Sequence, residues 1–380
     1  MARTAVAKAK PKTCLAFLAC HRQEALHGPL PGHPEQAARV TACSERLANN
    51  KLWPLLKKLA PRKATDVELQ AVHEKSHIEG LSKLATLAAQ TGKPQFVPSH
   101  GPMGISGPSS EVRADETGDT YVTAESLEAA RFAAGGLLQG IDETLSSEGL
   151  RTGLVLCRPP GHHASSARSS GFCLVNNVAT AAAYALQFET VKRVLIFDWD
   201  VHHGQGTQQI FENSESVLFV SIHRHDGHSF YPATGSPFEA GSGRGKGLTV
   251  NVALPESFGD LAIWTACAQV LLPAARSFRP DLILVSAGFD AAAGDPIGRC
   301  DVTPRCFGLL TLELRRLAAE VSDSRIIFAL EGGYNVDVLA DCVEEVAMAL
   351  VEATRTHSRL IKTEYACSRN RINMFDIVNH

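Results

Sequence analysis

The sequence predicts an α/β domain built on a mainly parallel sheet. Three observations carry that expectation: strand-length apolar runs recur along the chain, helical patterns separate many of them, and the clearest run is apolar throughout. Alternating strands and helices imply a parallel sheet flanked by helices. Unbroken apolar strands belong where both faces are covered.

Strand signals fall at residues 13–20, 153–157, 193–198, 217–223, 248–254, 282–287 and 326–330. In the third, Val194, Leu195, Ile196 and Phe197 leave no polar face. Helical spacing appears over 124–141, where Leu127, Ala130, Ala134, Leu137 and Ile141 share one side. It returns over 261–278, where Pro273 is expected to kink or break the helix, and over 304–321 and 336–355. No internal repeat and no linker between hydrophobic units is visible. The expected organisation is one domain over 13–356, a flexible basic start (1–12) and a tail (357–380). Residues 92–118 hold nine Gly or Pro in 27 positions and predict a long surface loop. A second irregular stretch, 229–247, holds seven.

With 380 residues, 44% hydrophobic and 20% charged, the composition is that of a soluble globular protein. A net charge of −3 provides no global field for nucleic acid or a membrane surface. No apolar run is expected to reach membrane-span length. The ten cysteines include no C-x-x-C pair, and Cys157, Cys267 and Cys342 lie in apolar segments. They read as buried hydrophobes in a reducing compartment, cytoplasm or nucleus, rather than a disulfide framework. The start carries Arg3, Lys8, Lys10 and Lys12 and no acid, which leaves mitochondrial or plastid targeting open.

Four strand ends carry the chemistry. The 193–198 run closes on Asp198-Trp-Asp200-Val-His202-His203-Gly. In an extended continuation Asp198, Asp200 and His202 point to one side. Two carboxylates and an imidazole so gathered must repel or share a cation, and mixed oxygen and nitrogen ligands suit zinc, iron or manganese. A helix starting near Gly204 and capped by the aspartates would explain the carboxylates but not the paired histidines. The 153–157 run leads into Arg158-Pro-Pro-Gly-His162-His163. Two histidines there can act as base and acid near neutral pH, or form a rigid hydrogen-bonded loop. Residues 282–287 lead into Gly288-Phe-Asp290, a third ligand or a helix cap. Residues 326–330 lead into Glu331-Gly332-Gly333-Tyr334, where the glycines allow a turn that projects Tyr334 inward. Together, at the carboxyl ends of parallel strands, they describe a metal-dependent active site.

The segments RPPGHHA, GFCLVNNVA, DWDVHHGQGTQQIF, SAGFDAAAGDP and LEGGYN, in this order, resemble the zinc-dependent lysine deacetylases. DWDVHHG, and PPGHH without a tryptophan, look like class II members, and the resemblance runs over residues 14–353. It implies the arginase/deacetylase fold, doubly wound around an eight-stranded, mainly parallel sheet with helices on both faces. It implies zinc on Asp200, His202 and Asp290, catalytic histidines at His162 and His163, and an oxyanion-binding tyrosine at Tyr334. Asp198 would orient His162 and, with Asp200, His202, Ser221 and Ile222, surround a structural potassium ion. Phe211, Ser214 and Val217 would hold a second monovalent ion. Gly171, Phe172, Tyr231 and Gly332 would meet substrate along the acyl-lysine channel, and Asp119 would hold its backbone at the rim.

The departures from the family pattern are specific. Gln205 stands where relatives place Asp or Asn beside the second histidine, and Tyr231 where phenylalanine is commonest. Residues 33–39 keep the HPE triplet and Arg39 but not the usual residues between. Ile297 occupies the place of the acidic gatekeeper of polyamine-selective relatives. The expected function is zinc-dependent hydrolysis of acetyl-lysine in a protein or peptide, releasing acetate, with small acetylated amines or polyamines as the alternative. A two-manganese ureohydrolase would need a second Asp-x-Asp late in the chain, and residues 288–292 supply one carboxylate. An inactive binding module would show the loss of a ligand, a histidine or the tyrosine, and none is lost.

Overall fold

The computed structural model describes residues 15–20, 26–60, 62–97, 119–227 and 229–352. The basic start, the tail and residues 98–118 of the expected long loop lie outside that set. Eight parallel strands form one sheet: β1 (Ala16–Cys20), β2 (Leu56–Leu59), β5 (Thr152–Leu156), β6 (Val194–Asp198), β7 (Val217–Arg224), β8 (Thr249–Leu254), β9 (Leu282–Ala287) and β10 (Ile326–Leu330). Their order is β2-β1-β5-β10-β9-β6-β7-β8. The chain therefore winds outward in both directions, and the late strands β9 and β10 fill the centre.

The apolar runs explain this placement. Along β6, Leu195 and Phe197 face one hydrophobic cluster while Val194 and Ile196 face the other. The first cluster is roofed by α1 (Ala38–Asn49), α7 (Asp260–Ala266), α8 (Leu272–Phe278), α9 (Pro304–Val321) and α10 (Val336–Val351). The second is roofed by α2 (Asp66–Leu69), α3 (Lys75–Thr91), α4 (Ser126–Leu145), α5 (Asn177–Ala185) and α6 (Gln205–Phe211). Capping sets several starts: Thr303 accepts the Cys306 N–H before α9, and Asn335 accepts that of Val338 before α10.

Four findings differ from the sequence reading. β2 buries only Leu56 and Leu59 and turns Lys57 and Lys58 outward, a charged edge with no apolar run to betray it. Part of the expected 92–118 loop is β3 (Gln95–Phe96), antiparallel to β4 (Tyr121–Val122). The helix over 261–278 is neither broken nor regular. A π turn, Cys267–Leu271, joins α7 to α8, and Pro273 falls in the first turn of α8, where a missing N–H donor is tolerated. Contrary to expectation, this composite stretch, Asp260–Phe278, is long and apolar enough to cross a membrane by length and composition, with mean hydropathy 1.2 over its most apolar 18 residues. Its Ile263, Leu271, Leu272 and Ala275 pack in the first cluster.

Candidate active site

The strands whose ends carry the motifs, β5, β10, β9 and β6, are consecutive in the sheet. Segments far apart in sequence thus meet at one edge: His162 and His163, Glu331 to Tyr334, Asp290, and Asp198 to His202.

Asp200, His202 and Asp290 are buried, and their ligand atoms all lie within 4.8 Å of one another. The His202 Nδ1 is 3.0 Å from Asp200 Oδ1 and 3.1 Å from Asp290 Oδ2. Backbone donors hold the carboxylates in place. Val201 N–H donates to Asp290 Oδ1 at 2.9 Å, and Gly332 N–H to Asp200 Oδ2 at 2.8 Å. A Cβ on Gly288 or Gly332 would overlap these carboxylate oxygens, so close approach requires glycine at both. Among the described residues no lysine or arginine pairs with Asp200 or Asp290. Two buried carboxylates without a fixed cation demand one. Burial disfavours a charged His202, yet hydrogen bonds to Asp200 and Asp290 raise its pKa to about 9. Burial and Asp200 raise Asp290 to about 7. This set of two carboxylates and an imidazole fits a divalent ion. The helix-cap alternative fails, because α6 begins after Gly204 with no side-chain cap.

The tandem histidines have different partners. The His162 Nδ1 meets Asp198 Oδ2 at 2.9 Å, and the His163 Nδ1 meets Gln205 Oε1 at 2.6 Å. Burial opposes charge on His162, but Asp198 and Asp200 hold it well above the usual imidazole value. Burial, with the charges of His162 and His202, holds His163 well below it. Glu331 secures the turn beneath them, its Oε2 accepting the N–H of Gly161 at 2.6 Å and of His162 at 3.2 Å.

Tyr334 is set by its backbone neighbours. Gly333 takes φ +116°, a conformation that favours glycine. Tyr334 N–H donates to Asp295 Oδ2 at 2.7 Å. The Arg39 guanidinium lies 5.0 Å from the Tyr334 ring centroid and donates to the Gly333 carbonyl at 2.6 Å. Burial keeps the phenol well above its ordinary pKa, so it remains a donor. Arg39 is anchored by Glu35 at 3.2 Å, which also pairs with Arg158 at 2.6 Å. Burial would raise the Glu35 carboxyl, but Arg158 draws it down to about 2. Sequence reasoning assigned no part to Glu35, Arg158, Asp295 or Glu331. The four-residue spacing of Glu35 and Arg39 was the available signal.

Residues 33–350 match the family model for the histone deacetylase domain. The chain belongs to that family. It is 41% identical over 324 residues to Histone deacetylase 6 of Caenorhabditis elegans, covering 84% of this chain and 32% of that protein. It is 39% identical over 327 residues to human Histone deacetylase 7 (84% and 34%). To Histone deacetylase 15 of Arabidopsis thaliana it is 38% identical over 321 residues (84% and 53%). The crystal structure of the HDA15 HD domain aligns with TM-score 0.78 and 36% identity, over 89% of this chain and 90% of that one. The chain spans about a third to a half of the length of these curated relatives.

In this deacetylase domain the expected channel residues surround the same edge. Phe172, at φ +68°, donates its N–H to the Thr120 Oγ1 at 2.9 Å and stands edge-on to Tyr334 at 5.7 Å. A Cβ on Gly171 would strike the His163 ring. Tyr231 stands edge-on to His163 at 5.0 Å and is 42% exposed. Its hydroxyl end is enclosed, within hydrogen-bonding reach of Ser170 and Gln205, and burial raises the phenol. Ile297 is half-buried, its N–H on Asp295 Oδ1 at 2.8 Å. Asp119 is exposed, and its carbonyl accepts from His33 Nε2 at 2.9 Å. Asp198 and Ser221 are register partners across β6 and β7, with Asp200, His202 and Ile222 alongside. Val217 opens β7, and the Phe211 carbonyl accepts the Ser214 N–H at 2.8 Å.

Proposed function

We propose that this chain is a zinc-dependent deacetylase of acetyl-lysine in proteins or peptides. The observation that carries this reading is a buried Asp200–His202–Asp290 group, without a fixed countercharge, beside two histidines and Tyr334. Asp200, His202 and Asp290 would hold the metal and leave a fourth position open. Zinc there would polarise the amide carbonyl and acidify the attacking water.

The remaining work falls to the chain's own side chains. His163, kept neutral by burial, accepts the water's proton and passes it to the departing amine. Gln205 holds the His163 Nδ1–H, which leaves Nε2 as the basic nitrogen. His162 retains positive charge against Asp198 and stabilises the negative charge that develops. The Tyr334 hydroxyl donates to the tetrahedral oxyanion, a contribution of about 3 kcal/mol in comparable sites. Asp198, Asp200, His202, Ser221 and Ile222 would hold a potassium ion behind the site, with Phe211, Ser214 and Val217 around a second. Phe172, Tyr231 and Ile297 offer the lysine stem an apolar passage with no carboxylate for a distal ammonium.

Metal analysis combined with a substrate panel tests this. One zinc per chain is expected, with acetyl-lysine peptides hydrolysed in preference to acetylspermidine and other small acetylamides. Asp290→Asn keeps an acceptor for the Val201 N–H while weakening the ligand, and should lose zinc and activity together. Full activity in metal-free Asp290→Asn protein would end the reading.

A further inference from the structure

His202 is gripped from a side that the ligand set does not involve. The Phe230 ring lies parallel to the His202 imidazole, with centroids 4.9 Å apart and planes within 5°. The Arg224 guanidinium lies over Phe230, 4.3 Å from its centroid. Arg224 is itself fixed, with Nε on Asp226 Oδ2 at 2.7 Å, Nη1 on the Gly298 carbonyl at 3.0 Å and Nη2 on Glu256 at 3.0 Å. Its backbone N–H donates to the carbonyl of Val201, between two of the ligands, at 2.8 Å.

From this geometry we propose that Arg224 and Phe230 are positioning residues that set the metal affinity of the site. The proposal rests on the metal reading of Asp200, His202 and Asp290. An imidazole can still turn about its outer side-chain bond, and that rotation swings Nδ1 away from Asp200 and Asp290. A parallel ring beside it opposes the rotation, and the guanidinium over that ring holds it in place. Arg224 also reaches Gly298 through its side chain and Val201 through its backbone N–H, so one residue steadies the segments carrying all three ligands. Partners behind metal ligands typically govern affinity by 10- to 100-fold.

The test is zinc affinity by chelator competition, with the visible spectrum of the cobalt-substituted protein as a second readout. Phe230→Leu should weaken zinc by about 10-fold or more and alter the cobalt bands. Phe230→Tyr, which retains the stacked ring, should restore both. Arg224→Lys keeps the charge but loses the forked hold, and should release zinc faster than the wild type. Phe230 is only half-buried, and melting curves establish that each variant is folded. Wild-type affinity in folded Phe230→Leu and Arg224→Lys would overturn the proposal while leaving the metal reading intact. A wild-type protein that takes up no zinc would overturn both.

Discussion

The Nδ1 of His163 lies 2.6 Å from the side-chain carbonyl of Gln205, an amide, whereas its neighbour His162 faces the carboxylate of Asp198. The carboxylate favours the charged form of His162, whereas burial favours the neutral form of His163. Converting Gln205 to Asp would place an anion near His163 and raise its pKa by about one unit or more. A base works only when unprotonated, so the acidic limb of kcat/KM should move to higher pH by that amount. A limb that stays in place would remove His163 from the role of base.

Tyr334→Phe deletes only the hydroxyl and leaves the ring between Arg39 and Phe172. kcat should fall by about 100-fold or more with KM little changed, as for loss of a transition-state contact. A loss below threefold would make Tyr334 a turn residue.

Ile297→Glu introduces an acid on the segment that also carries Asp295. Turnover of acetyl-lysine peptides should weaken and that of acetylspermidine improve, because an unpaired ammonium beside an apolar wall is penalised by desolvation. A wild-type enzyme that already prefers acetylspermidine to every peptide tested would refute this assignment of Ile297.

Glu331 offers a test by stability. Burial lifts its carboxyl from 4.5 to about 7, against the pull of His162 and the Gly161 N–H. A carboxyl whose pKa is raised on folding stabilises fully below pH 4.5, and that contribution is lost as pH climbs through 7. Glu331→Gln removes the titration, keeps an acceptor for Gly161 and offers Ser286 a donor. The melting temperature of Glu331→Gln relative to wild type should therefore rise between about pH 5 and 8. At most about 1.4 kcal/mol per pH unit is involved. A pH-independent difference would show that the carboxyl is already ionised throughout.

The central strands were legible because a strand buried on both faces has no polar position, and their ends were legible because histidine and aspartate interrupt that pattern abruptly. β2 was not, since two lysines occupy half of its four residues. α5 escaped for the opposite reason: with Val178, Ala179, Ala181, Ala182 and Ala185 all buried, little polar face marks its period. At the site, the ligands and Tyr334 stood out as unusual residues at strand ends. Asp295 and Glu331 act through backbone donors that no spacing announces, and the Phe230 stack depends on the segment after β7 meeting His202.

Among the described residues β10 is the last strand in sequence, yet it lies between β5 and β9. During synthesis the sheet cannot close from one side to the other, because its middle is made last. Until residues near Tyr334 are joined, Asp200 lacks its Gly332 N–H and Glu331 is not yet present to hold the histidine turn. A chain cut before Ile326 would lose the centre of the molecule rather than an edge. The half-made protein already has Asp200, His202 and Asp290 but not the Gly332 N–H and Glu331 carboxyl that fix them and the histidine turn, so the site is completed only in the final step of folding.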